Sequence, residues 1–183
     1  MSLMLQNFIL FQLGWLSCVI GGASSYHWTG VVVVAAIVAV HLVRSYRITS
    51  EVMLILITTL LGTTWDSALM AAGLLSFNNG VVFDALVPLW MVAMWALFAT
   101  TLNVSMQWMK NRYLLAAVFG AIGGPVAYYA GHRLGAVEFS QTSTALLAVG
   151  AGWAVLMPLL IILSTRFNGY LEIHRSSLEV KTV

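Results

Sequence analysis

From its first residues the chain alternates long apolar runs with short polar interruptions. About 20 predominantly apolar residues cross the ~30 Å hydrocarbon core of a bilayer as a helix. Six segments reach or approach that length, at residues 4–22, 27–43, 52–77, 85–109, 113–131 and 143–165. The second is short and β-branched ("VVVVAAIVAV"), a pattern that in water suggests a buried strand. In lipid an open strand leaves backbone groups unpaired, so a helix is expected there as well. The expected fold is an all-α integral membrane bundle of six transmembrane helices, one domain over residues 1–165, followed by a short tail at 166–183.

Composition points the same way: of 183 residues 61% are hydrophobic and 8% charged, against about a quarter charged in a soluble domain. Lys and Arg fix the expected orientation, because basic residues in short loops stay on the cytoplasmic side. Arg44 and Arg47 lie between spans two and three, Lys110 and Arg112 between four and five, and Arg166, Arg175 and Lys181 after span six. Six crossings put all of these on one side, with both termini cytoplasmic and Arg133 alone outside. The net charge of +2 includes no basic run, so nucleic acid is not an expected partner. The opening "MSLMLQNFILFQLGWLSCVIGGASS" lacks the basic start of a secretory signal, and Trp15 suits no lipoprotein cleavage site before Cys18, so a retained first span is expected. A lone cysteine forms no intramolecular disulfide. "WLSCVIGG" and "WDSALMAAG" echo one another too faintly to argue duplication.

Counting ~1.5 Å per residue from the cytoplasmic ends places Asp66, Tyr128 and Cys18 about 21 to 22 Å deep, in the outer half of the core. His27, Asp84, His132 and Arg133 fall at the outer boundary, and His41, Asn103, Gln107 and Trp108 near the inner one. A carboxylate at the depth of Asp66 costs roughly 2.5 to 3.5 kcal/mol on insertion scales, so it should face the bundle interior, a cavity or a partner. Arg133, whose long side chain can reach inward, is one candidate partner. Alternatively Asp66 is structural, bonded to Thr63 or to a neighbouring helix.

The stretch "GAIGGPVAYYAGHRLGA" holds two layers of information. Gly120, Gly124, Gly131 and Gly135, with Ala127, are spaced to form a small-residue stripe suited to close helix packing. Pro125 removes one backbone hydrogen bond and frees the Ala121 carbonyl, inviting a kink. Beyond it Tyr128 and His132 share one face, and Tyr129 and Arg133 the next. Metal chemistry is not indicated, because the four histidines divide between the two sides and no His-x-x-x-His or Cys-x-x-Cys spacing occurs. No span carries a lysine, and no phosphate-binding loop or nucleophile motif is present. No cofactor is expected.

These segments, together with "NFILFQLGWLSCVIGG", "TTWDS", "LWMVAMWALFATTLNVSMQWM" and "WAVLMPLLIIL", resemble over nearly the whole chain a family of small bacterial inner-membrane proteins catalogued as a domain of unknown function. That resemblance implies a multi-pass location in the bacterial inner membrane, and hints at lipid metabolism. A shorter stretch, "GGPVAYYAGHRLG", is similar to the glycine-rich segment of DedA-type membrane proteins, some of which move phospholipids between leaflets. It departs from that segment in lacking its acidic residue and in carrying His132 between Gly131 and Arg133.

Three functions fit the pattern. The first is binding or translocation of a lipid-like or small amphipathic molecule through an outer-leaflet polar cavity between spans one, three and five. Asp66, Tyr128, His132 and Arg133 would line it, and Arg133 would receive an anionic head group. The second is an accessory or scaffold subunit of a membrane lipid-modifying system, its glycine stripe meeting a membrane-protein partner. The third is a membrane-embedded enzyme using Asp66, Tyr128 and His132, with His132 transferring protons.

Overall fold

The computed structural model describes residues 2–83 and 85–170; Asp84 and most of the expected tail, including His174, Arg175 and Lys181, lie outside the described residues. Six helices form a bundle: α1 (Leu3–Gly22), α2 (Trp28–Arg44), α3 (Ile48–Ala71), α4 (Leu89–Leu102), α5 (Tyr113–Arg133) and α6 (Thr142–Arg166). Four of them, α1, α3, α5 and α6, are long and apolar enough to cross a membrane, whereas α2 and α4 have 17 and 14 residues.

The largest departure from expectation is α4, which replaces an expected segment of 85–109 with Leu89–Leu102, about 21 Å long. It is also the hub of the bundle, packing on α1, α2, α3 and α6, with Trp90, Met91, Trp95 and all of 97–102 buried. Its end has a local cause. Thr100 and Thr101 turn their hydroxyls back onto the Leu97 and Phe98 carbonyls at 2.7 and 2.6 Å, and the Asn103 side chain leaves the helix to bond elsewhere. A 3-10 turn, Gln107–Met109, then leads into α5. Such irregular backbone tolerates an apolar surrounding only where protein covers it, which fits the burial of α4.

The third helix starts earlier than expected, so that Glu51 falls in its first turn, and it stops short of 77. The chain reverses at Gly73 (φ +69°) and forms β1 (Leu75–Phe77); likewise α5 ends in a turn at Gly135 (φ +84°) that feeds β2 (Val137–Phe139). Both glycines occupy left-handed backbone that other residues adopt at a cost. The two strands pair antiparallel, Leu75 opposite Phe139 and Phe77 opposite Val137, where the end of the third span and an external loop were expected. Asn78 and Asn79 donate to the Gly135 and Gly22 carbonyls, tying this strand-bearing end of the bundle to α1 and α5.

Inside the bundle, tryptophans on one helix lie over glycines on the next. An ideal Cβ added at Gly62 would meet the Trp95 indole at 1.8 Å, at Gly152 the Trp65 indole at 2.2 Å, at Gly124 Trp153 at 2.5 Å and at Gly22 Trp90 at 2.5 Å. Each pair joins different elements, α3 to α4, α6 to α3, α5 to α6 and α1 to α4. Where water supplies no drive for helices to associate, close van der Waals contact of this kind holds them together.

Candidate functional site

Asp66 lies on α3 on the face turned towards α4, one turn after Gly62. Because Gly62 carries no side chain, the Trp95 ring settles against α3, and its Nε1–H donates to Asp66 Oδ2 at 2.6 Å. From α5 the Tyr128 hydroxyl donates to Asp66 Oδ1. The carboxylate is fully buried and joins three helices. Of the two alternatives for its structural bonding, the neighbouring helices are the answer; the Thr63 hydroxyl is buried without a partner.

Trp95 and Tyr128 present their other sides to a cavity of about 270 Å³ framed by α1, α4, α5 and α6. Its walls are aromatic and thioether side chains, among them Phe11, Trp15, Met94, Phe98 and Trp153. Trp95 and Trp153 stack, with ring centroids 4.9 Å apart and planes 15° apart, and Phe98 meets Trp153 edge-on at 5.1 Å. Among the described residues no charged side chain lines this groove. It differs from the expected cavity in two respects: α3 supplies no lining residue, and the walls are apolar, with Asp66 concealed behind Trp95 and Tyr128.

The expected site residues therefore separate. Tyr128 contacts both Asp66 and the groove. His132 is drawn to the strands, its Nδ1 3.0 Å from the Val137 carbonyl and its ring 4.8 Å from Phe139. A carbonyl only accepts, so that contact calls for a proton on Nδ1. Arg133 is exposed, and no ion pair links it to Asp66. Helix geometry gives the reason: Gly124, Ala127 and Gly131 mark the groove face of α5, and Arg133 follows Gly131 by two residues, roughly 200° around the axis. The pairing of Asp66 with Arg133, and the seating of a head group by Arg133 in the cavity, are accordingly corrected.

The glycines separate too. Gly120 and Gly124 let α6 approach, since a Cβ at Gly120 would lie 2.3 Å from the Trp153 carbonyl oxygen. Gly131 has only an ordinary 3.6 Å contact with Val137 and borders the groove. Gly135 lies beyond the helix and serves the turn described above, not the packing stripe. Pro125 has its accommodation on α6, where Gly150 leaves room for both the Pro125 ring and the Ala121 carbonyl it frees.

A second buried carboxylate, Glu51, was not singled out from the sequence. It accepts hydrogen bonds from Asn103 Nδ2 (2.7 Å) and the Gly169 amide (2.7 Å), and pairs with His41 Nε2 (2.8 Å). Tyr170 closes the cluster by donating to the His41 carbonyl at 2.7 Å. Lys110 donates to Asn103 Oδ1 at 2.7 Å and to the Ser164 carbonyl at 3.3 Å. Burial pulls the Lys110 ammonium down to about 8, against the opposing effect of Glu51. Each of these side chains bonds to protein partners, so this cluster reads as a latch between the ends of α2, α3, α4 and α6. The available signal for Glu51 was its place in a helix first turn, where a carboxylate meets the positive end of the helix dipole. Trp95 had no local signal, because its partner is 29 residues away in sequence.

These features define a class, a helical bundle built around apolar helices of membrane-crossing length with an apolar groove beside a buried carboxylate. Residues 4–159 match the family model described as "Protein of unknown function (DUF2878)", and the chain belongs to that family. No curated protein and no solved structure matches the chain.

Proposed function

We propose that the protein is a six-span protein of the bacterial inner membrane, with both termini cytoplasmic, that binds a lipid-like molecule in the groove between α1, α4, α5 and α6. Supporting the topology, Arg44 bonds Gln6 at the start of α1, and the Glu51 cluster gathers Lys110 and the end of α6 at the same end of the bundle. Basic residues thus collect opposite the strands, as the cytoplasmic bias of Lys and Arg requires. The short α4 needs no lipid contact along most of its length, because its neighbours cover it.

The observation that carries the binding reading is the groove itself. Its walls offer an apolar molecule dispersion contacts, while two of its residues, Tyr128 and Trp95, are held in place by Asp66. Small-molecule sites are mostly apolar concavities of this kind, with a few fixed polar groups. α1 and α5 flank the groove without packing extensively on one another, which leaves a lateral approach from the bilayer. Translocation would use the same groove.

The test fills it. A Cβ at Gly123, which borders the groove, would meet nothing closer than 3.8 Å, so Gly123→Leu has room at its first carbon and extends into the groove. Native mass spectrometry of the protein purified in mild detergent should show bound lipid in the wild type, and much less in Gly123→Leu at an unchanged melting temperature. A wild type that carries none, or a variant that retains all of it, would refute the proposal.

A further inference from the structure

We infer that the groove takes one linear hydrocarbon chain, acyl or prenyl, and leaves the head group outside, so that ligands are selected by chain shape and not by head-group charge. The inference rests on the reading of the groove as a lipid site and names the substrate class.

Three observations carry it. The first is shape. Lining residues extend from Phe8 to Val19 on α1 and from Phe119 to Gly131 on α5, about 16 to 18 Å of depth at ~1.5 Å per residue. Spread over that depth, about 270 Å³ makes a long narrow slot instead of a rounded chamber. The second is the state of its polar groups. The Tyr128 hydroxyl is committed to Asp66, that of Ser105 donates to Asn7 Oδ1 at 2.7 Å, and that of Thr101 to the Phe98 carbonyl at 2.6 Å. The Trp95 and Trp90 N–H groups donate to Asp66 and to the Asn79 carbonyl, while the Trp153 Nε1–H is buried without a hydrogen-bond partner. A head group drawn inside would lose its full hydration shell against donors that, Trp153 apart, are already committed. The third is charge. No cation among the described residues lines the slot, and Arg133 projects from the opposite side of α5. A peptide helix from a partner, about 10 Å across, fits less well, because the slot is narrow.

Photo-crosslinking in proteoliposomes of phosphatidylethanolamine and phosphatidylglycerol tests this. Three diazirine probes are compared, a hexadecanol, the matching hexadecanoic acid and a sterol, each scored as labelling of α1 and α5 peptides in the wild type beyond that in Gly123→Leu. Alcohol and acid should label to within about twofold of each other. The sterol, whose fused rings overpack a narrow slot, should label about tenfold less or weaker, a difference of ~1.4 kcal/mol. Equal labelling by the sterol, or a tenfold separation of acid from alcohol, would overturn the chain-shape inference and leave the lipid site standing. No labelling above Gly123→Leu by any probe would overturn both. So would crosslinks joining α1 and α5 peptides of two copies with the probes excluded, which would assign the face to self-association.

Discussion

Gly62→Ala puts the arrangement around Asp66 under direct strain. In an ordinary helix interior this change favours folding by up to about 1 kcal/mol, because glycine carries the larger entropy loss. Here the new methyl carbon would lie 1.8 Å from Trp95 Cδ2 and 2.1 Å from Cε2, rigid ring atoms with no flexible end to swing aside. Trp95 must withdraw, and its stacking on Trp153 and its 2.6 Å bond to Asp66 go with it. Overpacking costs about 1 to 3 kcal/mol, and leaving a buried polar group without its hydrogen-bond partner about 1 to 3 kcal/mol. Set against the propensity gain, the net is a loss of about 3 kcal/mol. At roughly 2 to 4 °C per kcal/mol for a chain of this size, melting in detergent should fall by about 9 °C. Differential scanning fluorimetry measures it, with Gly123→Ala as the control, since that methyl meets nothing within 3.8 Å and should hold or raise the melting temperature. Trp95→Phe should restore part of the loss in the double variant, a positive coupling expected of residues in contact. A Gly62→Ala protein melting at or above the wild type would refute the glycine–indole account of the core.

Asp66→Ala should destabilise more than Asp66→Asn. Alanine strands two buried donors at about 1 to 3 kcal/mol each, whereas an amide can accept from Trp95 and donate to the Tyr128 oxygen; equal melting temperatures would count against the described bonding. Glu51→Ala should release the segment at Gly169 and Tyr170, seen as faster hydrogen exchange at the Gly169 amide, and unchanged protection there would exclude the latch. Amine-directed labelling of Lys110 requires the neutral amine, so its rate should rise with pH to a midpoint of about 8. An exposed lysine has its midpoint about two units higher; a Lys110 midpoint near 10 would show that its burial is not retained in solution.

The legible and the hidden parts of this molecule differ in range. Hydropathy is a local property. It located six apolar segments near their observed helices, and the spread of Lys and Arg is the basis of the orientation proposed above. Depth counting singled out Asp66, because a carboxylate amid "TTWDS" breaks an apolar run, and it set Tyr128 at the same level, where the two side chains meet. The extent of α4 was not legible, because a helix covered by neighbours and a helix facing lipid have the same apolar composition. The strand pair escaped notice because three-residue strands lie below the length at which alternation declares itself. Glu51 escaped because its merit lies in donors from Asn103 and Gly169, 52 and 118 residues away.

The sequence by itself determined the apolar character of this chain and the approximate course of its helices, since transfer free energy adds along a chain regardless of partners. Only the tertiary structure decided which of its polar residues meet. Arg133 was suited to Asp66 by charge and depth, yet two residues of helical rotation past Gly131 carry it to the far side of α5. Trp95, with no charge at all, takes the place beside Asp66, because Gly62 leaves the space in which an indole can reach a carboxylate.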